Sequence, residues 1–416
     1  MTRTPLRASL ESARRLSVTK QRLAGPLPAR ITPSRILSVV RDLAYVQWDP
    51  ISVVAPSHIL SFWARLGDFR LADLERLLWE DKKLFEHWTP IASIVLSEDY
   101  PLYHSLMSRY PDSLSASWGN HRTRTQKFLV DRAGLRKKML SELRKGPLQI
   151  GQFADHQRGR RSEGDWSSGS DVQEMLFHLL MRGEVMVVGH SGNQNIWGLS
   201  EDFLPSWVDR RQLPEVDVDR QAAERALRAL GTATPSEIRF YYVRGRYQHL
   251  DRTLARLEED SVIHPVIVDG VRDREVRYVH NRDLSMLESI GTDGWEPRLS
   301  LIPPFDNMVY NQARGNRLFG FDYIREQFLP KEKRKFGTYV LPIVWGERFI
   351  GRIDARLDKQ KGELVINAVH AERDAPADRE VGVRIEETID RLAAFVGAKR
   401  VTYTSRVPTP WRSALR

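Results

Sequence analysis

The 416-residue chain contains no cysteine. That excludes disulfides, cysteine nucleophiles and thiolate metal sites, and it suits a reducing cytoplasm. No apolar run approaches the roughly 18 residues that a membrane span requires. The first residues, "MTRTPLRASLESARRL", lack the apolar core of a secretion signal, so a cytoplasmic location is expected. The phosphate-binding loop, the dinucleotide glycine fingerprint, the G-x-S-x-G elbow and the H-E-x-x-H pair are all missing. The clustered carboxylates of a magnesium-dependent nuclease are missing too. The 11 histidines are scattered and form no metal constellation. His87, between Glu86 and Trp88, stands out among them, but a lone histidine in an apolar run is ordinarily structural. What remains is the chemistry of carboxylates and amides.

What is present is positive charge. Lysine and arginine number 64 against 54 acidic residues, a formal net charge of +10. That balance favours an anionic partner, nucleic acid ahead of a membrane surface, with a generally basic protein as the plainer alternative. A first helix is expected over residues 8–24. A second follows in "TPSRILSVVRDLAYV", with Thr32 as N-cap and Pro33 at the first helical position. A third, "PSHILSFWARLG", closes at Gly67, and a fourth is expected in "RLADLERLLWEDKKLF".

Two later stretches share one layout: helix, turn, short segment, helix, strand, loop, strand. The first runs from "DRAGLRKKMLSELRK" to "IWGLS", the second from "DRQAAERALRALG" to "VRYVH". This is the order of a winged helix, met twice in about 170 residues as a structural repeat. The last third turns strand-rich, then gives a helix over 379–397, a short strand "KRVTYTS" and a basic tail. The expected organisation is α+β: an N-terminal helical or winged-helix module (1–130), second and third winged helices (131–215 and 216–290) and a C-terminal unit (291–416). Basic clusters fall at tips and turns. Arg160 and Arg161 lie in one, Arg244 and Arg246 in another, and "PKEKRKFG" forms a third. Each alone reads as a solvated face; together, on winged helices, they read as phosphate contacts.

One short stretch raises a chemical question. In Val46-Gln-Trp-Asp-Pro50 an amide and a carboxylate stand two apart inside an apolar run. Pro50 biases Asp49 toward an extended conformation, where positions i and i+2 share a face. Gln47 and Asp49 would then project together, with Trp48 packed in the core behind them. A polar pair at a solvent face is the plainer alternative.

Further along stand Pro304-Phe305-Asp306, then Leu-Phe-x-Phe-x-Tyr over 318–323, then Pro-x-x-Lys-Arg-x-x-Gly-x-Tyr-x-Leu-Pro over 330–342, then Gly-Arg-x-Asp over 351–354. This ordered set resembles the C-terminal signature of the winged-helix DNA glycosylases of the AlkZ/YcaQ type. Gln47-Trp48-Asp49 is similar to that family's Gln-Φ-Asp motif, in which Φ is apolar. The resemblance spans most of the chain and is strongest over 303–356. It implies tandem winged helices forming a C-shaped basic channel around duplex DNA. It also implies hydrolysis of the N-glycosidic bond of alkylated purines, chiefly N7-alkylguanine and with it bulky adducts and interstrand crosslinks, in repair or self-resistance. No cofactor is implied, and a monomer is the default. Asp49 and Gln47 become the expected catalytic pair, with Glu86 a supporting carboxylate or a surface ion pair. Arg314, Arg317, Lys333, Arg334 and Arg352 are expected on phosphates, the Lys333-Arg334 pair above all. Three positions depart from the family pattern: Pro90 stands where His is usual, and Asn311 and Gln312 replace a carboxylate and a guanidinium. A winged-helix DNA-binding protein without catalysis therefore stays open as the alternative.

Overall fold

A computed structural model describes residues 4–114, 119–154, 171–271, 275–291, 294–404 and 407–415. The chain divides into two compact units that are not sequential: Met1–Arg70, Ala226–Glu237 and Leu257–Arg416 form the first, Leu71–Arg225 and Ile238–Arg256 the second. The expected boundary at 130/131 thus falls inside the second unit, and that at 290/291 inside the first.

In the first unit, strand Leu6–Ser9 pairs in parallel with Ile263–Asp269, and its last two residues, 8 and 9, fall where the first helix was expected to begin. The helix starts only at Leu10, because Ser9 is extended and its hydroxyl accepts the Ser12 N–H; it ends at Lys20. The second helix, Pro33–Leu43, buries Ile36, Val39, Val40 and Leu43, a stripe at helical spacing. Thr32 holds the N-cap position but makes no side-chain cap bond. The third helix, Ser57–Leu66, ends as expected at Gly67, whose positive φ of 77° suits a residue without Cβ.

The C-terminal part is a five-stranded sheet in the order Leu299–Leu301, Val340–Trp345, Arg348–Asp358, Glu363–Ala371, Arg400–Tyr403. Neighbours are antiparallel except the last pair, which is parallel and is joined through helix Arg379–Phe395. The basic tail is anchored. Trp411 is fully buried and its indole N–H donates to the Pro376 carbonyl at 3.0 Å. Two glycines make room for it: a Cβ at Gly351 would lie 2.9 Å from its ring, and Gly382 sits against its backbone and Ala414.

In the second unit the fourth expected helix is cut short. Leu71–Glu75 is α-helical, residues 76–80 form one wider π-helical turn, and Leu84–Trp88 is a strand paired with Ala92–Leu96. Lys82, at a φ of 50°, turns the chain between them. The middle module has helices Ala133–Leu143 and Asp171–Met181 around a core of Met139, Leu143, Phe153, Val172, Met175 and Leu179. Its strands are ordered Leu148–Gln149, Gln194–Leu199, Val185–Ser191, so the first pairs with the third. The second copy repeats this. It has helices Glu215–Leu230, Pro235–Tyr241 and Leu250–Glu259 and strands ordered Thr232–Ala233, Arg277–His280, Ile263–Asp269. Both copies therefore share the strand order first, third, second, and the residues of the second are divided between the two units.

Burial of Trp411 makes the tail part of the fold. Trp411→Ala should destabilise the protein by about 3–5 kcal/mol in urea unfolding; a change below about 1 kcal/mol would mean the tail merely rests on the sheet.

Candidate catalytic site

The segment that carries Gln47 and Asp49 begins at a sharp reversal. Ala44, at a φ of 66°, ends the second helix in the left-handed region, which costs a non-glycine residue about 1–2 kcal/mol. The Asn307 amide holds this turn by donating to the carbonyls of Tyr45 at 3.1 Å and Leu43 at 3.5 Å. The chain then enters the short strand Val46–Gln47. Gln47 is 4% exposed, and its buried Oε1 has no hydrogen-bond partner among the described residues.

Asp49 is half-buried. One carboxylate oxygen accepts the Ile51 N–H at 2.8 Å, an Asx turn set up by the intervening Pro50; the other accepts no hydrogen bond from the described residues. Burial pushes the Asp49 carboxyl above the usual aspartate range, and the Ile51 N–H offsets part of that rise. The Asp49 carbonyl accepts the Ser57 N–H and meets His58 Nδ1, each at 3.2 Å, which closes the 49–58 segment against the third helix. Trp48 is not in the core, as its size led one to expect. It is half-buried and stacks on the His58 ring, centroids 4.0 Å apart and planes 16° from parallel. The imidazole supplies the flat apolar face that the core would otherwise have given. His58 went unnoticed in the sequence, and Tyr339 entered only as one letter of the 330–342 signature, because no spacing ties either to Asp49.

Two further ties fix the segment. The Leu357 N–H donates to the Val53 carbonyl at 2.8 Å, and the buried Tyr339 hydroxyl reaches the Ala55 carbonyl at 3.4 Å. Tyr339 is itself placed by Asp354, whose Oδ1 accepts the N–H groups of Thr338 and Tyr339, both at 3.0 Å. Gly337 precedes this cap at a φ of 144°, and a Cβ there would collide with the Asp354 carboxyl. Burial holds the Tyr339 hydroxyl protonated, with the Asp49 charge adding to the effect. The Pro-Phe-Asp motif is also structural. Asp306 and Arg65, both with fully buried side chains, make two hydrogen-bonded contacts at 2.6 and 2.9 Å, and Ser61 adds a third to Asp306 at 3.1 Å. Arg65 and Ser61 lie on the helix whose first turn carries Ser57 and His58.

The expected DNA-contacting residues separate by burial. Arg246, Arg314 and Arg352 are about 5% exposed and have internal partners, so the phosphate role expected of them is corrected. Arg246 donates to the Val243 and Trp88 carbonyls, and burial lowers its pKa to about 10. Arg314 donates to Glu237, Ser17 and the carbonyls of Thr232 and Leu230. Arg352 pairs with Glu372 at 2.7 Å and lies between the rings of Phe321 and Phe336, 4.3 and 4.1 Å from their centroids. Arg317, partly exposed, faces Glu237 and Glu275 at about 3.5 Å. Arg244 donates to the Pro90 carbonyl at 3.3 Å. Lys333 is exposed, whereas Arg334 donates to the Leu329 carbonyl and to Thr338, both at 3.0 Å. Arg160 and Arg161 lie outside the described residues.

Glu86 is buried, and its carboxylate meets His190 Nε2 at 2.5 Å. His87 is buried, and desolvation, aided by Arg246, lowers its pKa well below the usual value, so it stays neutral. Of the departures, Asn311 caps a helix by accepting the Arg314 N–H, and Gln312 donates to Asp322 at 2.8 Å. Among the described residues no group of three or more His, Asp or Glu side chains is placed to hold a metal ion.

The chain matches the family described as DNA glycosylase AlkZ-like over residues 40–395. It is similar in structure to the Streptomyces sahachiroi DNA glycosylase AlkZ, with a TM-score of 0.64 and 19% sequence identity, over 96% of this chain and 100% of that one.

Removing one partner of a buried ion pair strands the other without compensation. Asp306→Ala should lower stability by about 3–5 kcal/mol in denaturant unfolding. A loss of less than about 1 kcal/mol would mean that the pair does not anchor the third helix.

Proposed function

From a chain that belongs to the AlkZ-like DNA glycosylase family, we propose a monofunctional DNA glycosylase that hydrolyses the N-glycosidic bond of alkylated purines, N7-alkylguanine first, with bulky adducts and interstrand crosslinks within its range. The observation that carries this reading is the state of Asp49: half-buried, its pKa raised, one oxygen fixed by Ile51 N–H and the other uncommitted. An N7-alkylated guanine already bears positive charge and departs readily. The enzyme's task is then to stabilise the cation that develops on the sugar and to hold a water at C1′. A carboxylate does both, by its charge and as general base. Gln47, with its unpaired Oε1, accepts a hydrogen bond from the attacking water and orients it. No step calls for a metal or an organic cofactor. The chain acts as a monomer on duplex DNA, with tandem winged helices forming the binding channel.

The test is incubation with duplex DNA carrying N7-methylguanine, followed by alkali. Strand cleavage at the modified guanine is expected, and Asp49→Asn should slow it by about 10²–10⁴-fold while leaving DNA binding unchanged. Tight binding without cleavage on any alkylated duplex would instead support a DNA-binding protein without catalysis. Lys333 supplies a second check. If it neutralises a phosphate, Lys333→Ala should reduce the slope of log affinity against log salt by about one unit. An unchanged slope would remove Lys333 from the DNA surface.

A further inference from the structure

A cavity of about 210 Å³ opens within the second unit, between the hairpin 84–96, the helix Asp171–Met181 and the strand Gln194–Leu199. Three of its lining side chains, Trp88, Phe177 and Trp197, are large aromatic rings. Trp88 and Phe177 meet edge to face, 5.2 Å between centroids and 89° between planes, and Trp197 and Leu180 also line it. A closed apolar cavity of about 150 Å³ admits benzene, so this one admits a larger planar ring. Flat walls of this kind stack any heteroaromatic ring, whatever its substituents.

The polar groups narrow the choice. Glu86 presents a carboxylate of which one oxygen is held by His190. Among the described residues the buried indole N–H of Trp88 has no acceptor, and the Ser93 hydroxyl, on a residue that is fully buried, has no partner. His87 lines the cavity too, and neither of its buried ring nitrogens has a partner among the described residues. Buried polar atoms are otherwise nearly always paired, so three such side chains lining one cavity point to a ligand that pairs at least some of them. The cavity thus offers an acceptor pair from a carboxylate and a donor from an indole, between stacking faces. The ring that answers this pattern carries two adjacent N–H donors and a nearby carbonyl. Guanine does, with its N1–H and exocyclic amine beside O6.

We propose that this cavity is a binding site for a guanine-type base, with Glu86 accepting from N1–H and the exocyclic amine, Trp88 donating to the ring carbonyl, and Trp197 and Phe177 enclosing the ring. The choice of an N7-alkylated guanine as ligand rests on the function proposed above; the donor and acceptor pattern does not. Glu86 is accordingly a recognition residue, and nothing in the proposal requires it to take part in bond cleavage.

The experiment titrates the full-length protein with free 7-methylguanine and with 7-methylhypoxanthine, which lacks only the exocyclic amine, and follows tryptophan fluorescence. Saturable quenching by 7-methylguanine is expected, at least about tenfold tighter than for 7-methylhypoxanthine, as leaving the buried Glu86 carboxyl one hydrogen bond short implies. Glu86→Gln should erase that preference, and Leu180→Trp, which fills the cavity, should abolish binding. No saturable quenching, or equal affinity for the two bases, would overturn the proposal in the unaltered protein alone, however the variants fold. Undiminished binding in a folded Leu180→Trp variant would overturn it as well. Excision of N7-methylguanine from duplex DNA without binding of the free base would sink this site and leave the catalytic reading intact; binding without excision would do the reverse.

Discussion

The buried contact between Arg65 and Asp306 is the constraint on which the segment that carries Gln47 and Asp49 depends. Both side chains are fully removed from solvent, where neither charge could persist alone. Their pairing ties the helix Ser57–Leu66 to a stretch more than two hundred residues away in sequence. The first turn of that helix receives the Asp49 carbonyl on Ser57 N–H and His58. A charge that is expensive to bury thus fixes the position of one that must stay reachable. Asn307, the neighbour of Asp306, holds the strained turn at Ala44 from the other side of Gln47.

The remaining signature motifs extend the same support. Asp354 caps the backbone at Thr338 and Tyr339, Gly337 leaves room for that cap, and Tyr339 reaches the segment at Ala55. Arg352 lies between two aromatic rings and an acid, as part of the C-terminal core. These residues give the resemblance its specificity, yet none offers a group for chemistry. They hold a loop, and the loop holds Asp49. A rigid frame around one half-buried carboxylate is what positioned acid–base catalysis requires, because a small displacement of the base is costly.

Much of this was legible in the chain itself. The order of helices and strands in both winged-helix copies follows from turn residues and apolar runs, and the stop at Gly67 from its conformational freedom. The short strand at Val46–Gln47 and the turn at Asp49 were legible because Pro50 dictates an extended entry into a turn. The rest depends on long-range pairing, which a local pattern does not encode. Leu6–Ser9 is a strand only because Ile263–Asp269 offers an edge to it. Arg246, Arg314 and Arg352 look like surface cations until buried acceptors appear around them. The residues after Leu78 turn into a hairpin because Lys82 takes a left-handed conformation, a choice no helical periodicity signals.

The most direct test of the central claim, that the uncommitted oxygen of Asp49 acts as base and as counter-charge, is the pH dependence of single-turnover excision of N7-methylguanine. Burial raises the Asp49 pKa, so the active, ionised form is lost as pH falls through a value above the ordinary aspartate range. The account predicts an acid limb displaced upward in this way, present in the wild-type protein and absent from the residual activity of Asp49→Asn. A limb at the pKa of a solvated aspartate, or one that persists unchanged in the variant, would contradict it.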